Sequence, residues 1–146
     1  MLSIIMEFIF PPRCPNCSAY VERRGTFCAP CMRRLVHVHA LARPSDAAQD
    51  LDGVWAFAHY REAVRDLLRA LKYQKQRSAL PALHTLLVVG EDVLDDLPRP
   101  LVAVPVPLAP QRARERGFNQ AEEIFAPWLA SHGIALRRLL VRTRET

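Results

Sequence analysis

Cys14-Pro-Asn-Cys17, ten further residues, then Cys28-Ala-Pro-Cys31 is the stretch that decides how this chain begins to fold. Two residues between paired cysteines let both sulfurs reach one ion from a tight turn. Two such turns complete the tetrahedral four-thiolate shell that zinc prefers, with Zn–S distances of about 2.3 Å. Residues 11–40 are rich in Cys, Pro and Arg and carry no long periodic run. They read as a loop-dominated module in which the metal replaces a core the segment cannot build. A closed shell leaves no open position, so the zinc is structural. The rival reading is a redox Cys-x-x-Cys, a motif that normally occurs singly at a helix start. His37 and His39 lie close enough to suggest three cysteines and one histidine instead, but a histidine beside four cysteines is ordinarily solvated.

Half of the 146 residues are hydrophobic and 24% are charged, a globular and not a disordered composition. The net charge of +5 rests on 18 arginines and two lysines, Lys72 and Lys75. Such a charge suits an anionic partner, and equally an arginine-rich solvated surface. The apolar start, Met1 to Phe10, is about half the length needed to cross a bilayer. It lacks the basic n-region and cleavage site of a signal peptide. It reads as a short helix presenting Leu2, Ile5, Met6, Phe8 and Ile9 to a neighbouring part of the chain. The default expectation is then a cytoplasmic protein, in which closely spaced cysteines hold metal and not disulfides.

Two regions are expected, residues 1–45 with the N-terminal helix and ribbon and residues 50–146, joined by a linker over residues 40–52. Val54 to Tyr60 reads as a strand, and Arg61 to Tyr73 as a helix with Val64, Leu67, Leu68 and Leu71 on one face. A second helix is expected from Ala79 to about Leu94, with Pro81 in its first turn. Leu101 to Val106 reads as a strand closed by Pro105 and Pro107. Gln111 to Phe118 reads as an Arg-rich loop, and Asn119 to Ser131 as a helix with Ala121, Ile124, Phe125, Trp128 and Leu129 in one stripe. Asn119 is its expected N-cap, with Glu122 reaching back in a capping box. Pro127 implies a kink or an early end. Leu136 to Val141 begins another strand. Residues 101–141 therefore form one βαβ unit, the building block of a parallel α/β sheet.

The Val104 to Gln120 segment lies after a strand and before a helix N-terminus, where open α/β sheets bind ligands. Free backbone amides at the helix start, the close approach that Gly117 allows and the guanidinium groups of Arg112, Arg114 and Arg116 suit an anion there. An exposed Arg-rich loop without a ligand is the competing reading.

Pro105-Val106-Pro107-Leu108, then Arg112, then Arg116-Gly117-Phe118-Asn119-Gln120 resembles the signature of the ComF family of phosphoribosyltransferase-like proteins. Phe10-Pro-Pro-Arg-Cys14 with its paired cysteines, and Leu71-Lys72-Tyr73, are similar to that family's zinc ribbon and first helix. The resemblance implies a zinc ribbon followed by the first part of a type I phosphoribosyltransferase fold, a Rossmann-like parallel sheet. It implies pyrophosphate binding at Arg112, Arg116, Gly117 and Asn119, and PRPP with Mg2+ if the domain is completed. It implies a role in DNA uptake in natural competence beside a helicase and a single-strand-binding partner. The family's paired aspartates, which by the resemblance hold the ribose hydroxyls, and its Thr/Gly turn, which cradles the ribose 5-phosphate, have no counterpart. Asp95-Asp96 precedes the Pro105 segment, is followed by Leu97-Pro98-Arg99-Pro100, and reads as a solvated helix end. The chain is thus expected to be inactive alone as a transferase. The alternative is a non-catalytic zinc-ribbon module binding nucleic acid or protein, with Arg13, Arg23, Arg24, Arg33 and Arg34 around it and Tyr20 and Phe27 available for stacking.

Overall fold

A computed structural model describes residues 9–45, 50–95, 97 and 99–143. The expected N-terminal helix falls almost wholly outside these residues, as does Asp96. The elements run α1 (Ala29–Leu35), β1 (Val36–Ala40), β2 (Trp55–Ala58), α2 (Glu62–Gln74), α3 (Leu80–Val89), β3 (Val102–Ala103), α4 (Pro110–Arg116), α5 (Gln120–Ser131) and β4 (Ala135–Leu136). Short 3-10 turns at Arg77–Ala79 and Glu91–Leu94 flank α3. The protein is a mixed α/β chain with an N-terminal zinc ribbon. Its parallel sheet has two strands among the described residues, which is less than a Rossmann-like sheet.

Residues 11–40 hold more regular structure than their composition suggests. Pro30 in the first turn starts α1, and β1 follows without a gap. β1 pairs antiparallel with β2, Val36 opposite Ala58 and Ala40 opposite Trp55. The pair continues into the expected linker through Leu41 N–H to the Val54 carbonyl at 2.7 Å. The linker is therefore the loop of a hairpin.

α2 buries Val64 and Leu71, as its apolar face requires, and ends on Lys75 in the left-handed region. The second helix stops at Val89 and not near Leu94, because the chain must change course at Gly90. A Cβ at Gly90 would lie 2.6 Å from Val38 Cγ2 and 2.7 Å from Phe57 Cδ1, so the hairpin packs directly on this backbone. Gly25 serves the ribbon in the same way. Its φ is +75°, and a Cβ there would meet Pro81 Cβ at 2.6 Å. One buried cluster accordingly runs from Cys14, Phe27, Cys31 and Leu35 through α2 and α3 to Ile124, Trp128 and Leu129 of α5. Phe57, Phe125 and Trp128 meet edge to face, with Phe57 and Trp128 centroids 5.5 Å apart.

β3 and β4 pair in parallel, Val102 with Ala135 and Ala103 with Leu136, and Arg137 N–H extends the ladder to the Ala103 carbonyl at 2.8 Å. Both strands are shorter than expected. Pro105 and Pro107 lack the N–H that further pairing needs. Leu139, Leu140 and Val141 are exposed outside the ladder. The expected Arg-rich loop is helical instead. Pro110 sits in the first turn of α4, and Gly117, at φ +80°, closes it, which is the punctuation a short helix uses. Asp95 is exposed after the 3-10 turn, as expected of a solvated helix end.

Asn119 caps α5 by accepting from Ala121 N–H at 3.0 Å. Glu122 does not complete the capping box. Its carboxylate takes two bonds from Arg138, at 2.8 and 2.5 Å, which hold its pKa below the usual carboxylate range. Of the two outcomes expected at Pro127, the early end does not occur, since α5 continues to Ser131. Pro127 cannot bond the carbonyl four residues earlier, that of Glu123. His84 of α3 supplies a substitute, its Nε2 donating to the Glu123 carbonyl at 3.1 Å. His84→Ala should therefore cost about 1–3 kcal/mol, the penalty of an unpaired carbonyl. Urea unfolding should show a smaller cost in a Pro127→Ala background, where the helix regains its own donor. An equal cost in both backgrounds would show that His84 acts through packing alone.

Candidate metal centre and basic pocket

The ribbon is shaped by its own backbone before any metal is considered. Cys14 N–H bonds the Ala19 carbonyl at 2.8 Å, Ser18 N–H returns to the Cys14 carbonyl at 2.9 Å, and Arg13 and Tyr20 form a bridge. This folds the first cysteine pair into a knuckle. The second pair uses the start of α1, where Cys28 is the N-cap residue and Cys31 lies one turn in. All four sulfurs are within 4.8 Å of one another, and Cys17 and Cys28 are 3.5 Å apart. A tetrahedron with Zn–S bonds of about 2.3 Å has sulfur–sulfur edges of about 3.8 Å. Donor type, number and spacing thus fit zinc, and Cys14, Cys17, Cys28 and Cys31 would hold it. His37 and His39 are not part of the group.

Burial raises the Cys14 pKa, but backbone donors from Cys28, Asn16 and Cys17, with the Cys17 thiol, outweigh it and hold the group at about 6. At Cys31 the Asn16 side chain favours the thiolate, yet burial and the other three cysteines push the thiol up to about 12. Asn16 has a second role. Its Nδ2 donates to Cys31 Sγ at 3.4 Å, while its Oδ1 accepts from Ala63 N–H at 3.3 Å in the first turn of α2. The residue between the cysteines of the first knuckle therefore caps the next large helix.

A basic pocket lies at the far end of α2. Lys72 and Tyr73 end that helix, Arg112 and Arg116 stand one turn apart on α4, and Gln120 opens α5. Together with Arg142, Leu108 and Ala109 they line a cavity of about 260 Å³. A neighbouring cavity of about 140 Å³ shares Lys72, Tyr73, Arg112 and Arg116 and adds Lys75 and Glu115. Arg116 donates to the Gln120 side-chain oxygen, and Arg142 reaches the Pro107 carbonyl at 3.4 Å. Of the residues singled out in the sequence, Arg112 and Arg116 line the cavity. Gly117 and Asn119 form the turn behind it, where Asn119 Nδ2 ties to the Val106 carbonyl at 2.9 Å. Arg114 is not among the lining residues. Lys72 was legible as part of a helix and of the Leu71-Lys72-Tyr73 resemblance but not as a pocket residue, and Arg142 gave no signal, because tertiary packing alone brings them here.

A family model described as the double zinc ribbon domain matches residues 5–43, which contain all four cysteines. No curated protein and no solved structure matches the chain. No helix among the described residues is long and apolar enough to cross a membrane.

Elemental analysis should find one zinc per chain in the parent protein and none in Cys14→Ser, with loss of dispersed amide signals over residues 11–40 in the variant. Asn16→Ala should keep the metal and lower stability by about 1–2 kcal/mol, the cost of a lost cap. Retention of zinc by Cys14→Ser would contradict the closed four-thiolate shell.

Proposed function

We propose that this chain is a ComF-like member of the phosphoribosyltransferase group, in which a structural zinc ribbon supports a pocket for a diphosphate-bearing ligand. The observation that carries the reading is the convergence of Lys72, Arg112, Arg116 and Arg142 on one cavity, with Tyr73 and Gln120 beside them. Four cations from three separate parts of the chain face one space, and charge-assisted hydrogen bonds to phosphate oxygens are the interaction they favour. The parallel pair β3–β4 with α4 and α5 between its strands is a βαβ unit of the kind such transferases use.

The contribution of these residues is binding and positioning. Arg112 and Arg116 hold the diphosphate, and Gln120 keeps the Arg116 guanidinium aimed. Gly117 allows the turn that sets α4 against α5, and Asn119 fixes that turn to the Val106 carbonyl. Mg2+ would accompany PRPP in this reading. The sequence has no paired aspartates followed by a Thr/Gly turn to hold the ribose phosphate, so these 146 residues bind the diphosphate without turning PRPP over. A role in DNA uptake, with a helicase and a single-strand-binding partner, follows from the same resemblance. The alternative, a nucleic-acid-binding or protein-binding ribbon, draws support from the match at residues 5–43. Against nucleic acid, Arg13, Arg24 and Arg34 bond within the chain, to the Ser18 and Phe10 carbonyls and to Glu62.

Pyrophosphate titrated by calorimetry should bind in a salt-sensitive way, and Arg112→Ala or Arg116→Ala should each weaken it about tenfold or more. Amide shifts should be greatest at the α4–α5 turn. Shifts spread evenly over all basic surfaces, with no loss in either variant, would refute the pocket.

A further inference from the structure

A cluster of three histidines lies on and beside the β1–β2 hairpin, outside the ribbon. His37 and His39 are two residues apart on β1, beside an irregularity in its pairing with β2, and their rings stack. His59 follows β2 directly and is tied to the end of α1 by its N–H to the Leu35 carbonyl at 3.3 Å. The three imidazoles form a triangular cluster, with centroids 4.5 Å apart for His37 and His39, 4.8 Å for His37 and His59, and 5.8 Å for His39 and His59. His39 Nδ1 is 2.7 Å from the His37 carbonyl oxygen. A carbonyl only accepts, so Nδ1 carries the proton and the Nε2 lone pair is free. A backbone carbonyl commonly orients a ligating histidine in this way. Among the described residues no carboxylate pairs with any of the three.

We propose that His37, His39 and His59 form a second metal site, for a borderline divalent cation of the Zn2+, Ni2+ or Cu2+ kind, with water completing its shell. Three neutral imidazoles without a carboxylate select such ions over Mg2+ or Ca2+. Three imidazoles around one tetrahedral ion, with metal–nitrogen bonds of about 2.0–2.1 Å, have ring centroids about 5.2 Å apart. The observed separations of 4.5–5.8 Å bracket that value. Binding requires the rings of His37 and His59, now 24° and 36° from parallel with that of His39, to turn about their side-chain bonds so that one nitrogen of each meets an ion at His39 Nε2. The site differs from the ribbon in having no sulfur and an open position.

The test uses the whole chain with its ribbon filled by one equivalent of Zn2+, to which Co2+ is added. One further equivalent should bind and give ligand-field absorption without thiolate charge transfer. His37→Phe and His59→Phe retain a stacked ring and remove the nitrogens, and each should weaken the second equivalent by about tenfold or more. Substoichiometric Cu2+ on the parent protein provides a reading free of any folding defect. It should broaden the ring signals of His37, His39 and His59 before those of His84 and His132. Absence of a second equivalent, indifference to both substitutions, or first broadening at His84 or His132 would overturn the site.

Discussion

Four sulfurs drawn within 4.8 Å of one another cannot all carry negative charge unless a cation sits among them. The first proton leaves easily, since backbone donors stabilise the Cys14 thiolate. The last does not, since Cys31 is buried and faces the others. A dication removes the conflict, and with it the main obstacle to closing the ribbon. Cys14 and Cys31 are themselves nearly inaccessible and touch the same cluster as Leu35. The metal seat is therefore one wall of the hydrophobic core.

That wall has consequences along the chain. Asn16 carries the geometry of the first knuckle to the start of α2, and α2 delivers Lys72 and Tyr73 to the basic pocket. On the opposite side Gly25 lets the ribbon rest on Pro81 of α3, and α3 in turn packs on α5. Ribbon and helices are thus joined by the Asn16–Ala63 hydrogen bond, the Arg34–Glu62 ion pair and the apolar contact at Gly25.

The sequence made some of this legible and hid the rest for physical reasons. The cysteine spacing states its geometry directly. The stripe of Val64, Leu67, Leu68 and Leu71 states which face of α2 is buried. α4 buries no residue, so its hydrophobic pattern carried no signal, and only Pro110 and Gly117 marked its ends. The Arg112 and Arg116 pair was visible, but its partners Lys72 and Arg142 lie 40 residues before Arg112 and 26 after Arg116. Glu122 had two acceptable partners, the N-terminal amide of its helix and a distant Arg138, and local reasoning weighs only the first. His37 and His39 were noticed for the ribbon's sake, whereas their actual neighbour, His59, is brought close by the pairing of β1 with β2.

The bond from His84 to Glu123 bears on the order in which the protein assembles. Alone, the second half of α5 would fray at Pro127, because one carbonyl there has no donor and short helices are marginal in water. Docking against α3 supplies the donor and buries Trp128 and Leu129 in the same event. The C-terminal turn of α5, and β4 after it, therefore rely on α3 for a hydrogen-bond donor and a packing surface. A chain emerging from the ribosome would have its ribbon and first two large helices synthesised before the part of the sequence that depends on them.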